Sequence, residues 1–241
     1  MKVLVLGASG ATGRLVVTEL IRRHIETRIV VRAGVTLPSE IRNDPFIEIE
    51  RGNITDFDNQ KLARVIQGCD AVVSCLGHNI TFKGMFGAPR NLVSDTVKRI
   101  SGIAEEKAVG KLKLILMSTT AYTNTVAGER NVLGEKIILS MLKIFLPPHR
   151  DNIEAADYLQ NNNGKDNGRL EWVAVRPDTL VDETGVTPYS VHESPVRSPL
   201  FDAGKTSRIN VSDFMVDLLE TETTWLRWKF RMPVIYNENT R

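Results

Sequence analysis

VLVLGASGATGR, residues 3–14, is the stretch whose reading decides the fold. The apolar run Val3–Leu6 stops at Gly7, and Gly10 and Gly13 follow at intervals of three before an apolar-periodic segment opens. The spacing predicts a strand, a tight turn and a helix. Such a turn needs residues without a Cβ, and a diphosphate needs close approach to bare backbone. The start of the helix supplies free N–H groups and a favourable dipole. Gly7, Gly10 and Gly13, with Ser9, Ala11 and Thr12 between them, are therefore read as a diphosphate cradle. Three glycines alone are a weak signal; their place between a strand and a helix in a βαβ pattern strengthens it. No Gly-Lys-Ser/Thr ends the turn, which argues against a mononucleotide P-loop.

Working outward, strand and helix signals alternate. Apolar, β-branched runs occur at Val3–Leu6, Thr27–Val31, Ile47–Glu50, Ala71–Leu76, Leu112–Ser118 and Trp172–Val175, with helical periodicity at Gly13–His24 and Asp56–Gln67. Strands apolar on both faces predict a parallel sheet covered by helices. The expected fold is α/β, a Rossmann-type doubly wound parallel sheet in three layers. It forms one domain over 1–241, with a dinucleotide-binding core in 1–180 and a substrate-covering part in 181–241. The polar NNNGKDNG at 161–168 reads as a surface loop. Residues 182–208 carry Pro188, Pro195 and Pro199 and read as an irregular cover over a site. Asp213 is expected to cap a last helix, and MPVIYN to add a final strand.

Bulk properties narrow the classes. The chain has 241 residues, 42% hydrophobic and 25% charged, with formal net charge +2. No basic excess invites nucleic acid or an anionic membrane as partner. The longest apolar stretch, residues 137–148, is interrupted by Lys143 and stopped by Pro147 and Pro148, short of the roughly 20 residues a span needs. It reads as an amphipathic helix packed on the core. Cys69 and Cys75 form neither a disulfide framework nor a metal spacing, and four scattered histidines give no metal site. With no secretory signal in MKVLVLG, a cytoplasmic location is expected.

The end of the second strand reads RIVVRAG. A carboxylate there binds the ribose 2′-hydroxyl, whereas an arginine accommodates a 2′-phosphate. Arg32 occupies the position, with Arg14 just past the third glycine, so NADP is favoured over NAD as cofactor.

With these residues on the page, the chain resembles the atypical short-chain dehydrogenase/reductases, more narrowly the NmrA-like and flavin reductase (biliverdin-IXβ reductase)-like NAD(P)H-binding proteins. The matching parts are GASGATG at 7–13, VVR at 30–32, GNITD at 52–56, DAVVSCLG at 70–77, LILMSTTAY at 114–122 and the pair EAADYLQ…LEWVAVRPDTL at 154–180. The resemblance implies that Asn53 and Ile54 flank the adenine and that Leu76 and Gly77 line the cofactor groove. It also implies that Ser118 and the segment from Pro177 approach the nicotinamide. One departure stands out. The wider superfamily pairs a tyrosine with a lysine four residues on, which lowers the phenol's pKa. After Tyr122, Tyr158, Tyr189 and Tyr236 stand Val126, Asn162, Glu193 and Thr240 instead, and Asn152 fills the place of another lysine frequent in NmrA-like relatives.

Without that pair, Ser118, Tyr122 and His78 remain as candidate catalytic groups. Ser118 follows the fifth strand at the ligand-bearing edge. Tyr122 is read as a proton donor or a ring packing on the cofactor. His78 is read as a general acid or a hydrogen-bonding loop residue. His149 and Arg150 precede a helix expected to be capped by Asp151. The aromatic-basic ending with Trp225, Trp228 and Phe230 reads as packing on the core or a subunit contact rather than nucleic-acid stacking. Two functions follow: an NADP(H)-dependent reductase of a small organic acceptor, or an NADP(H)-sensing regulator that reports to a protein partner. A nucleotide-sugar epimerase is disfavoured by the missing pair and the short C-terminal part.

Overall fold

The computed structural model describes residues 1–78, 89–106, 111–162 and 168–238, with 142–145 at the backbone alone. Its frame is an eight-stranded sheet. The first half alternates β1 (Lys2–Leu6), α1 (Ala11–Arg22), β2 (Glu26–Val31), the short α2 (Ser39–Arg42), β3 (Ile47–Arg51), α3 (Asn59–Ile66) and β4 (Ala71–Ser74). Next come α4 (Leu92–Glu106), β5 (Leu112–Met117), α5 (Leu133–Phe145), α6 (Pro147–Asn162) and β6 (Leu170–Pro177). The remainder holds β7 (Thr179–Val181), β8 (Tyr189–His192), β9 (Lys205–Ser207), α7 (Arg208–Glu220), α8 (Glu222–Trp228) and β10 (Val234–Asn237).

Strand order is β3-β2-β1-β4-β5-β6-β10-β8, parallel except for the antiparallel edge strand β8; β7 and β9 pair separately. Val3 and Val5 face one core with Val16, Leu20 and Phe214 from α1 and α7. Leu4 and Leu6 face the other, with Leu62, Val97 and Leu159 from α3, α4 and α6. Both faces of β1 are thus buried, as its unbroken apolar run predicts. This is the three-layer, doubly wound α/β fold expected from the sequence. The strand order reverses direction between β1 and β4, which opens a crevice at their carboxyl ends.

Several expectations shift. Helix α1 ends at Arg22 rather than His24, because His24 takes a left-handed φ of 55° and Ile25 N–H returns to the Leu20 carbonyl. Asp213 does not cap α7. Ser207 does, its Oγ accepting from Asn210 N–H at 3.2 Å, while Asp213 lies within the helix and binds Arg23 and the Tyr189 hydroxyl. Nor does Asp151 cap α6, which starts earlier at Pro147, a residue suited to a first helical turn. The cover at 182–208 contains the short strands β8 and β9 amid irregular backbone. Helix α5 was expected to pack on the core. Between Leu133 and Met141 it buries only Glu135 and Leu139. The 161–168 loop falls mainly outside the described residues, as do residues 79–88 after His78.

Candidate functional site

The crevice begins at the glycine turn. Gly7 has φ +77°, and a Cβ there would lie 2.4 Å from the Cys75 carbonyl oxygen at the end of β4. A Cβ on Gly13 would lie 2.2 Å from the Gly7 carbonyl oxygen. Both glycines are demanded by the protein's own packing, since nothing larger lets β1, β4 and α1 converge. Gly10 differs. It is the extended N-cap of α1, and neither a capping side chain nor a first-turn acid serves that helix. The opening N–H groups at Ala11, Thr12 and Gly13 lie where an α-helix has no internal acceptors. A bare, positively polarised helix start at the topological switch point fits a diphosphate.

Arg32 stands beside this turn. Val30 is in register with Leu6, so the arginine leaves β2 next to the Gly7–Gly10 loop; its side chain is exposed. Neither Arg32 nor Arg14 forms an ion pair among the described residues, leaving both guanidinium groups free. Asn53 is exposed past β3 and donates from Nδ2 to Asp56 at 3.3 Å. Ile54 is buried with Leu6, Val30 and Phe57, and Arg99 ties the backbone down at Ile54 and Phe57. Leu76 is half-buried across the crevice from Gly7, and Gly77 is exposed with open space where a Cβ would be. The structure thus gathers Gly7, Ser9, Gly10, Ala11, Thr12, Gly13, Arg32, Leu76 and Gly77 at one edge. Ile54 belongs more to the core than to the surface.

The three candidate chemical groups differ in character. Ser118 follows β5, its N–H bonded to the Val175 carbonyl at 2.7 Å; its hydroxyl is buried and unpartnered among the described residues. A buried hydroxyl without a partner is costly unless something fills it. Tyr122 is buried and donates its hydroxyl to Asp157 at 3.0 Å. Burial, then the charge and hydrogen bond of Asp157, push that phenol well above its ordinary range, the reverse of an activated tyrosine. His78 lies just past Gly77, with Nε2 2.9 Å from the Asp151 carboxylate. Asp151 is fully buried and also accepts from Val93 N–H, Ser94 N–H and the Ser94 hydroxyl. The carboxylate therefore caps α4 across the interface and shares a hydrogen bond with Nε2 of the histidine. His149 and Arg150 lie in the first turn of α6, where Arg150 sits 3.3 Å from Glu154.

Beyond the carboxyl ends of β5 and β6 lies a cleft of about 420 Å³. Tyr122 and Glu129 line its inner part, Val132 and Arg130 its rim, and Val196 and Phe201 come from the C-terminal cover. The sequence reading missed what holds this cleft in shape. Arg176, fully buried, binds both oxygens of Glu129 at 2.6 and 2.9 Å and donates to the Met232 and Tyr122 carbonyls. Its signal was present: an arginine after the apolar run Trp172–Val175 in an interior strand requires a buried partner. Among the described residues no group of histidine, cysteine or acidic side chains forms a metal site, and Cys69 and Cys75 are free.

A glycine-lined helix start at the switch point, beside a separate cleft, defines a dinucleotide-binding protein. The NAD(P)H-binding family model matches residues 7–222, and the chain belongs to that family. No match was found among curated proteins. Solved structures share the fold over nearly the full length. One is a putative NADH-flavin reductase from Streptococcus pneumoniae, with TM-score 0.68 and 17% identity, covering 99% of this chain and 100% of that one. Another is an anaerobilin reductase from Escherichia coli O157:H7, with TM-score 0.68 and 13% identity, covering 100% and 99%. A third is a short-chain dehydrogenase/reductase from Veillonella parvula in complex with NADP, with TM-score 0.69 and 16% identity, covering 99% and 95%. No described helix is long and apolar enough to cross a membrane.

Proposed function

We propose that the protein is an NADP(H)-dependent reductase of a small organic acceptor that binds in the cleft past β5 and β6. The observation that carries the reading is the uncapped, glycine-rich start of α1 beside an Arg32 that forms no ion pair among the described residues. In this reading the N–H groups of Ala11, Thr12 and Gly13 hold the diphosphate and Arg32 the 2′-phosphate. Leu76, Gly77 and Asn53 flank the groove. Reduced nicotinamide, when bound, supplies a hydride. The chain's own part is to orient: the free Ser118 hydroxyl donates a hydrogen bond into the site, Pro177 walls it, and the cleft holds the acceptor. Orientation alone supplies about 7–11 kcal/mol in favourable cases, so a missing Tyr-xxx-Lys pair leaves catalysis possible. The free thiols of Cys69 and Cys75 fit a reducing cytoplasm.

The test is a fluorescence titration with NADPH and NADH followed by NADPH oxidation against quinones, flavins, aldehydes and enones. The expected result is tighter binding of NADPH and steady turnover with at least one class. Arg32→Glu is expected to weaken NADPH by about tenfold or more while sparing NADH, since it replaces a charge-assisted contact with repulsion. Retained preference for NADPH in that variant would remove Arg32 from the site.

One observation favours a second reading, a redox-sensing regulator. The only tyrosine lining the cleft is held by Asp157 with its phenol pushed up, so no activated acid–base tyrosine is present there. That reading expects unequal affinity for NADP and NADPH with no turnover across the panel. Any steady NADPH consumption rejects it.

A further inference from the structure

Helix α5 is the least explained element of the fold. From Leu133 to Met141 it buries a thin stripe, Glu135 and Leu139, yet the residues it turns outward are apolar. Leu133 is 75% exposed, Ile137 54%, Met141 53% and Ile138 38%. Leu133, Ile137 and Met141 recur every four residues and so stack along one face. Beside them stand Val132, Val196 and Phe201, whose ring lies 3.6 Å from where a Cβ on Gly134 would sit. Eleven large apolar side chains are exposed among the described residues, and seven belong to this region. An apolar concentration of that kind marks a contact surface.

The charges around it select the occupant. Arg130 and Lys136 are exposed and form no ion pair among the described residues. The acids nearby are withdrawn: Glu129 is taken by Arg176, and Glu135 is buried beneath Ser198 Oγ and Val132 N–H. Asp202 at the rim is matched by Arg197 at 2.6 Å. A second copy meeting this face about a two-fold axis would set positive charge against positive charge. An anionic bilayer surface meets it with opposite charge and accepts the apolar face below its headgroups.

We propose that α5, with Val132, Val196 and Phe201, docks on a bilayer surface bearing anionic headgroups. The expectation of no membrane partner rested on the small net charge of +2 and on the missing span. Net charge says nothing of where Arg130 and Lys136 stand, and both lie beside this apolar face. A helix lying flat in the interface, its apolar face about 5–10 Å deep, is a separate case. Val132, Val196 and Phe201 also line the cleft, so its mouth opens on the docked side. The docking stands independently of the reductase reading.

Vesicle flotation of the full chain tests it, with phosphatidylglycerol–phosphatidylcholine vesicles against phosphatidylcholine alone. The protein is expected to float with the anionic vesicles, to stay behind with the neutral ones, and to be released by raised salt. The double variant Ile137→Glu/Met141→Glu is expected to lower vesicle partitioning by about tenfold or more while leaving NADPH titration and the thermal midpoint unchanged. Lys136→Glu is expected to weaken flotation with the anionic vesicles. Wild-type protein that stays behind with both compositions overturns the proposal, as does a double variant that floats equally well. A dimer that Ile137→Glu dissolves, with no vesicle binding, assigns the face to a second copy instead.

Discussion

Two hydroxyl groups near the end of β5 carry opposite expectations. The Ser118 hydroxyl is buried without a partner, whereas the Tyr122 hydroxyl is spent on Asp157. A group with a spare donor in a ligand crevice gains a bond when the site fills, and one already committed gains nothing. Ser118→Ala is therefore expected to slow hydride transfer by about tenfold or more with little change in stability. Tyr122→Phe is expected to leave turnover within a factor of about two. Single-turnover kinetics with NADPH separates them; a large loss in Tyr122→Phe with none in Ser118→Ala would reverse the roles. The glycines make the same point from the backbone side. Gly7 and Gly13 are fixed by collisions a Cβ would cause, and Gly10 leaves the first-turn N–H groups uncapped.

At the scale of elements, helices are tied to their neighbours by carboxylates that leave their own segment. Asp151 projects from α6 to the start of α4, accepts from two N–H groups and the Ser94 hydroxyl, and is hydrogen-bonded to His78 Nε2. Asp151→Ala strands these buried donors, an expected loss of about 3 kcal/mol readable in the urea midpoint. Glu171 of β6 plays the corresponding part for α8. Burial alone would raise its carboxyl. Hydrogen bonds from Trp225, Lys229 and Lys111 outweigh that and hold it below its ordinary value. A depressed folded pKa means that the contribution is present above the unfolded pKa and fades as pH falls through the folded one. Glu171→Gln is expected to lower the thermal midpoint at pH 7, with the gap to wild type closing toward pH 3. These links also mark what the sequence revealed. The strands of the parallel half were legible because apolar runs report burial on both faces, and the cradle because glycine spacing reports a steric demand. The caps were not. Asp151 and Asp213 both look like helix starts locally, and only the meeting of distant segments turns one toward α4 and the other toward Arg23. The outward face of α5 was equally hidden, since an apolar helix reads the same whether its partner lies inside or outside the chain.

At the scale of the whole molecule, one buried ion pair joins the dinucleotide-binding half to the C-terminal cover. Arg176 sits in β6 at zero exposure and reaches Glu129 in the loop after β5, the Met232 carbonyl before β10 and the Glu193 carbonyl after β8. The pair therefore holds three separate segments around the cleft. Desolvating two charges is expensive, and their attraction compensates only while both are present with their remaining hydrogen bonds satisfied. Removing one partner leaves the other as an uncompensated buried charge. Arg176→Met is thus expected to cost about 3–5 kcal/mol in chemical unfolding, with both halves melting together because the strand lies inside the sheet, between β5 and β10. The double variant Arg176→Met/Glu129→Leu removes the stranded charge and is expected to recover most of that loss while weakening acceptor binding in the cleft, whose inner wall Glu129 forms. A double variant as unstable as the single one would show that the pair acts through packing rather than charge, and that the cover is held to the core by its apolar contacts alone.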